Sequence, residues 1–296
     1  FCIIRLRRSH LLQDALDELC RQRKSDLFKP LKVVFIGEEG VDEGGLKKEF
    51  FALIVQQLFD PSFGMFLQQE ETRVLWFNPS SLESSQEFML VGLLLGLAVY
   101  NHVLLDLQLP LVLWKKLLSL PLNHQDVADL SPETSRGLLA LLEYSGPGDV
   151  QDVFCLTFQA AIESFGERRV VELKEGGGDV EVTNSNRREY VQRYVEYLLS
   201  SSVSSQFEPF KEGFLFMFEQ EGILKLLSPR ELEVLVCGSP NLDFKGLEEA
   251  ATYAGGYSAS SQAVEWFWQI VREWDLEHKK LLLKFVTGSD KSPIGG

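Results

Sequence analysis

The residues most able to do covalent chemistry in this chain are four thiols: Cys2, Cys20, Cys155 and Cys237. A cysteine attacks as its thiolate, so it needs a nearby cation, base or helix N-terminus to lower its pKa. "VCGSP" sets Cys237 beside a glycine and a serine, but the preceding "ELEVLV" places it on an apolar helix face, where a thiol is inert. Cys155 stands in the strand-like run "VFCLTF" and is expected in the core. No CxxC pair occurs, and His10, His102, His124 and His278 are equally scattered, so neither a metal site nor a disulfide framework emerges. The expectation is a chain with no metal and no cofactor in a reducing, intracellular setting, cytoplasmic with the nucleus as an alternative.

Two glycine-bearing stretches suggest other chemistry. From Gly40, "GVDEGGLKK" reaches Gly45 at phosphate-loop spacing, but Leu46 stands where the loop lysine belongs and no Ser or Thr follows. Glu38, Glu39, Asp42 and Glu43 would also repel a phosphate, so the glycines are read as a tight strand-to-helix turn. The terminal "IGG" matches the diglycine by which ubiquitin-like modifiers are conjugated. Those are small β-grasp domains, whereas this end follows a helical segment in a long chain, so truncation within a glycine turn is the expectation.

The elements that must position any site are those of an ordinary globular protein. The chain has 296 residues, 45% hydrophobic and 24% charged, enough to bury a sizeable core. A formal net charge of -14 argues against nucleic-acid binding, which needs clustered Lys and Arg. The run Phe88–Leu105 is uncharged and carries Gly92 and Gly96 as a GxxxG pair, a membrane-helix pattern. Asn101 and His102 interrupt it and no basic cluster flanks it, so a buried core helix is expected, with no membrane insertion.

Along the chain, Ser9 is the expected N-cap of a helix running to Arg23. "PLKVVFIG" predicts a strand, "LKKEFFALIVQQLFD" a helix, "VLWFNPS" a short strand, and "PLVLWKKLLSL" a helix after Pro110. From about Pro121 the texture changes. "SPETSRGLLALLEY" is a capped helix, "VFCLTFQAAI" a strand, and "RRVVELKEGGGDVEVT" a hairpin around its glycines. "NSNRREYVQRYVEYLLSSSV", "QFEPFKEGFLFMF" and "SPRELEVLVCG" are further helices, the last with a Ser cap and Pro at its first position. "TYAGGYSASS", 252–261, is a flexible linker, and beyond it Trp266, Phe267, Trp268, Ile270 and Phe285 carry more apolar surface than two short helices can cover.

Several of these stretches together resemble the HECT domain of ubiquitin-protein ligases: "FIGEEGVDEGGLKKEFF", "DPSFGMF", "WFNPSS", "VGLLLGLAVYN", "LLEYSG", "NRREYV", "LVCGSPNLDF", "YAGGY", "FWQIV" and "FVTGSDKSPIGG". They fall in that family's order almost end to end, and the texture resembles most the branch of the E6-associated protein and the HERC ligases. The resemblance implies an α+β, mostly helical, bilobal fold. It implies an N-lobe at 1–251 with an E2-binding subdomain at about 121–221, a hinge at 252–261, and the start of a C-lobe at 262–296. The hinge residues are Tyr253, Gly255, Gly256 and Tyr257.

The resemblance further implies partners: a ubiquitin-conjugating enzyme (E2), ubiquitin, and protein substrates that cannot be read from the sequence. It places the E2 groove at Leu138, Leu141 and Tyr144, which share a helix face, at Phe154 and Leu156 of the strand, and at Phe214 as the hot spot. In that family a later segment carries the catalytic cysteine. None of the four thiols here sits at the matching position, so the expectation is an E2-docking chain with no catalytic residue of its own. The alternative is a natural, non-catalytic E2-binding or scaffold module.

Overall fold

A computed structural model describes residues 1–38, 44–164, 167–218 and 221–292. The alternating runs "CIIRL" and "LKVVF" form β1 (Cys2–Leu6) and β2 (Leu31–Phe35), paired in parallel with Cys2 opposite Leu31 and Leu6 opposite Phe35. Their period of two buries Ile4, Leu6, Val33 and Phe35 and leaves Ile3 and Val34 outside. A parallel pair needs a crossover, supplied here by α1 (Leu11–Arg21) and α2 (Lys24–Leu27). Ser9 is not the cap of α1. A 3-10 turn over Arg8–His10 precedes the helix, and the Ser9 hydroxyl is spent on the His10 ring.

Of the phosphate-loop near miss, Glu39, Gly40, Val41, Asp42 and Glu43 lie outside the described residues, as does the terminal diglycine. The helix that follows, α3 (Gly45–Leu58), buries Phe50, Phe51, Ile54 and Leu58. A small hairpin of β3 (Phe66–Gln68) and β4 (Leu75–Phe77) comes next. Then α4 (Ser85–Tyr100) starts at a capping box in which Ser84 and Glu87 satisfy each other's backbone N–H groups. It is apolar on all faces and correspondingly buried. Among the described residues no helix is long and apolar enough to cross a membrane. After α4, α5 (Leu111–Leu117) begins at Pro110.

The next stretch departs from expectation in three places. The helix α6 (Pro132–Glu143) is capped by Ser131 as its "SPET" start predicts. The expected strand at "VFCLTF" is instead α7 (Val150–Phe154), one helical turn closed by Cys155 in the left-handed region at φ 48°. Cys155 is exposed rather than core, because the chain reverses there. The hairpin exists with a different register: β5 (Gln159–Ser164) pairs with β6 (Glu167–Glu172), and Gly176–Gly178 follow it rather than turning it. A Cβ on Gly177 would lie 2.5 Å from the Phe158 carbonyl oxygen, so that glycine is needed for close approach.

Two helices complete this stretch, α8 (Arg187–Leu199) and α9 (Ser204–Leu215), and they part company. α8 packs with α6, whereas α9 lies along α4 in the main core. The stretch 121–221 is therefore not one packing unit. The chain ends in α10 (Glu221–Leu224), α11 (Pro229–Cys237), α12 (Phe244–Ala250), α13 (Gln262–Glu273) and α14 (Leu276–Thr287). The last two leave Trp266, Ile270, Leu281 and Phe285 exposed, the uncovered apolar surface that their composition predicts.

Candidate functional site

Five of the six predicted docking residues come together where α6, α7 and the following extended segment meet. Leu138 and Leu141, three apart on α6, face inward and are 6% and 1% exposed, so they support the surface rather than form it. Tyr144, Phe154 and Leu156 are half-buried and do form it. The rings of Tyr144 and Phe154 meet edge to face at 5.4 Å, and the Tyr144 hydroxyl donates to the Pro147 carbonyl at 2.7 Å. One ring edge is thus fixed while the other side stays open. Neither Phe154 nor Leu156 is in a strand: Phe154 ends α7, and Leu156 lies in the segment that pairs with 180–182.

Phe214 does not join them. It is fully buried on α9, its ring 4.9 Å from that of Phe218 and its backbone against Gly92 of α4. Phe207, Phe210 and Phe214 follow helical spacing, and that stripe is a core face here. As a surface hot spot Phe214 is excluded by its burial.

The structure supplies what the sequence reading missed, a row of tyrosines on α8. Tyr190 meets Phe158 edge to face at 5.5 Å, and Tyr194 follows at 5.9 Å from Tyr190. Burial pushes the Tyr190 hydroxyl up to about 12 and raises that of Tyr194, so both stay neutral donors. Tyr190 is buried and Tyr194 half-buried, so the row runs from core to surface. Its signal was the four-residue spacing inside "EYVQRY", which puts two aromatics on one helix face.

Two contacts hold these parts rigid. The Arg187 guanidinium at the start of α8 donates to the carbonyls of Leu141 (3.2 Å) and Tyr144 (2.8 Å), satisfying the open C-terminal end of α6. The Lys174 ammonium lies 3.6 Å from the centre of the Phe158 ring. The result is an aromatic surface on a fixed support, with a polar rim and no cluster that could hold a metal among the described residues. It is suited to receiving an apolar projection from another protein.

Of the thiols, Cys155 adjoins this surface, between Phe154 and Leu156, and the others lie elsewhere. Cys2 and Cys237 are buried, and burial pushes the Cys237 thiol up to about 12, far from a usable thiolate. The exposed Cys155 donates its thiol proton to the Asp152 carbonyl at 3.5 Å. At the linker, Gly255 and Gly256 have φ of 65° and 85° with open space around them, and Tyr253 accepts a hydrogen bond from the Trp268 indole at 2.8 Å.

Comparison with known proteins matches residues 52–296 to the HECT-domain (ubiquitin-transferase) family. The mouse protein named "Probable E3 ubiquitin-protein ligase HECTD2" is 43% identical over 310 residues, covering 100% of this chain and 39% of its own length. Rat "Probable E3 ubiquitin-protein ligase HERC4" is 41% identical, covering 99% of this chain and 28% of its own length. Human "Probable E3 ubiquitin-protein ligase HERC3" is 42% identical, with 100% and 28% coverage. The chain thus spans between 28% and 39% of these relatives.

Proposed function

The chain belongs to the HECT ubiquitin-transferase family, and on that premise we propose that it is the E2-docking part of an E3 ubiquitin ligase. The surface around Tyr144, Phe154, Leu156 and Tyr194 receives the E2, and the single observation that carries this is the open Tyr144–Phe154 pair on a clamped support. The reaction served is transthiolation. A ligase cysteine thiolate attacks the E2–ubiquitin thioester, releasing the E2 thiolate, and a substrate lysine amine then attacks the ligase thioester. Ubiquitin, an E2 and protein substrates are the partners, in an intracellular, cytoplasmic setting.

Cys2, Cys155 and Cys237 do not serve as that nucleophile. Cys2 and Cys237 are held protonated by burial, and Cys155 points its thiol proton at a carbonyl. The segment 252–261, with Tyr253, Gly255, Gly256 and Tyr257, acts as the hinge about which α13 and α14 are carried. The support is compositional and conformational: two adjacent glycines at positive φ, free of neighbours.

The test is a calorimetric titration with a panel of E2 enzymes, wild type beside Phe154→Ala. Loss of about 2 kcal/mol or more of binding free energy, with circular dichroism unchanged, is expected for truncation of a hot-spot ring. Equal affinity for the variant overturns the surface assignment. Incubation with ubiquitin-charged E2 should leave no reductant-sensitive adduct on this chain; an adduct lost in Cys155→Ser would overturn the exclusion of that thiol.

A further inference from the structure

A cleft of 690 Å³ lies between the body of the fold and the last turn of α14, away from the aromatic surface. One wall comes from α3, the β3–β4 turn and the segment 102–108; the other comes from Lys284, Thr287, Ser289 and Lys291. Exposed Ala52 with half-buried Leu75 and Leu104 give it an apolar lining. Its rim carries five basic side chains, Lys48, Arg73, His102, Lys284 and Lys291, against one carboxylate, Asp106. In a chain of net charge -14 that is a reversal of the local sign.

Three of the five have partners that tie the two walls together. The Lys48 ammonium donates to the Thr287 carbonyl at 2.8 Å, Lys291 reaches the Leu107 carbonyl at 3.5 Å, and Lys284 stands 3.7 Å from Asp106. Arg73 and His102 differ. Neither side chain has a hydrogen bond or ion pair among the described residues, and both residues have positive φ, 61° and 55°. Arg73 closes the β3–β4 turn, its N–H on the Gln69 carbonyl. His102 follows the C-cap of α4, Asn101. Glycine is the unstrained choice at both kinds of position. Two unpartnered basic residues at positive φ line one cleft, and the fold does not use either side chain.

We propose that this cleft binds a small amphipathic anion, a phosphate or carboxylate head on an apolar body. The head sits between Arg73 and His102 and the body lies on Leu75 and Leu104. Because Lys284 and the 287–291 turn form the far wall, occupancy fastens α14 to the body. This is independent of E2 docking, which uses a different face.

The probe is octyl phosphate below its micelle concentration, titrated into the chain by calorimetry beside inorganic phosphate and octanol. Octyl phosphate should bind saturably at one site, with both partial probes at least about tenfold weaker, the equivalent of one lost charge-assisted hydrogen bond. Arg73→Gly/His102→Gly should lose affinity at least about tenfold while melting no lower than wild type, because glycine relieves both positive-φ positions. In amide exchange the ligand should protect 102–108 and 276–287 together. Equal octanol binding, unchanged affinity in the double variant, or protection confined to the exposed face of 262–273 would each overturn the proposal.

Discussion

Gly92 on α4 and Gly213 on α9 are reciprocal contact points: a Cβ on Gly92 would lie 1.9 Å from the Phe210 carbonyl oxygen, and one on Gly213 1.9 Å from that of Met89. Each glycine admits the backbone of the other helix, so the GxxxG pair in "VGLLLGL" serves a close helix–helix contact in the core. No side chain can move aside to relieve either clash, so the helices themselves must separate. Gly92→Ala is predicted to cost about 3 kcal/mol or more in urea denaturation, the upper range for an overpacked core. Gly137, on the exposed side of α6 with nothing within 4 Å, is the control. Gly137→Ala should stabilise by about 0.5–1 kcal/mol through helix propensity. Equal effects at the two sites would refute the close-approach account.

Phe214 sits four residues beyond Phe210 on the same buried face. Phe214→Ala should therefore behave as a core truncation, costing about 3–5 kcal/mol of stability. E2 affinity of the fraction that remains folded should be unchanged. Selective loss of E2 binding at full stability would return Phe214 to the docking surface.

Caps and helix faces were legible because they are local. Ser131 with Pro132 and Ser228 with Pro229 announce α6 and α11, and both serines cap as their spacing predicts. Leu138, Leu141 and Tyr144 could be placed together for the same reason. Apart from Ser9, whose hydroxyl is taken by its neighbour His10, the failures needed more than local pattern. Phe214 obeys a periodicity that a core stripe and a groove share, and only the glycines on α4 decide between them. The parallel pairing of β1 with β2 joins runs a full crossover apart. Cys155 looks like strand until the chain's left-handed turn at that residue is seen. The tyrosines of α8 were visible as spacing, but Phe158, against which Tyr190 packs, comes from a different element.

Lys116 carries a prediction of sign. Its ammonium is buried over the Phe207 ring at 4.3 Å and donates to the Leu199 carbonyl, the last of α8, at 2.6 Å. Burial lowers its pKa to about 8 from an ordinary value of 10.5. Between those values the unfolded chain holds a proton that the folded chain has released, so stability rises with pH. Relative to Lys116→Met, the wild type should gain stability from pH 8 to pH 10, read as a difference between urea midpoints. A difference that is flat or falling over that window would show that the carbonyl and ring hold the charged form after all.

Asp14 predicts the opposite limb. Its carboxylate accepts from the Arg7 guanidinium at 2.6 and 2.9 Å and from the Arg7 N–H at 2.7 Å, and these bonds lower its pKa to about 2. A depressed carboxyl stabilises the fold above its unfolded value and loses that contribution as pH falls toward the folded one. The advantage of wild type over Asp14→Asn should be constant from pH 7 to pH 5 and shrink between pH 4 and pH 2. A constant difference down to pH 2 would mean that the neutral amide fails for steric reasons and not for lack of charge.

The bond from the Trp268 indole to the Tyr253 hydroxyl joins α13 to the first residues of the 252–261 segment, and the Arg272–Glu248 pair at 3.0 Å joins it to α12. On the proposed hinge reading, these contacts, from the middle and the last turn of α13, resist rotation about Gly255 and Gly256 without fixing α14. Tyr253→Phe removes the acceptor while keeping the ring. Amide exchange across 262–273 should accelerate several-fold, with the global urea midpoint nearly unchanged, because local opening does not require the core to unfold. Adding Arg272→Gln should accelerate it further, since the two contacts act in parallel on one joint. If exchange rises equally in α4 and α9, the Tyr253 hydroxyl supports the whole fold, and the segment is a structural strut instead of a hinge.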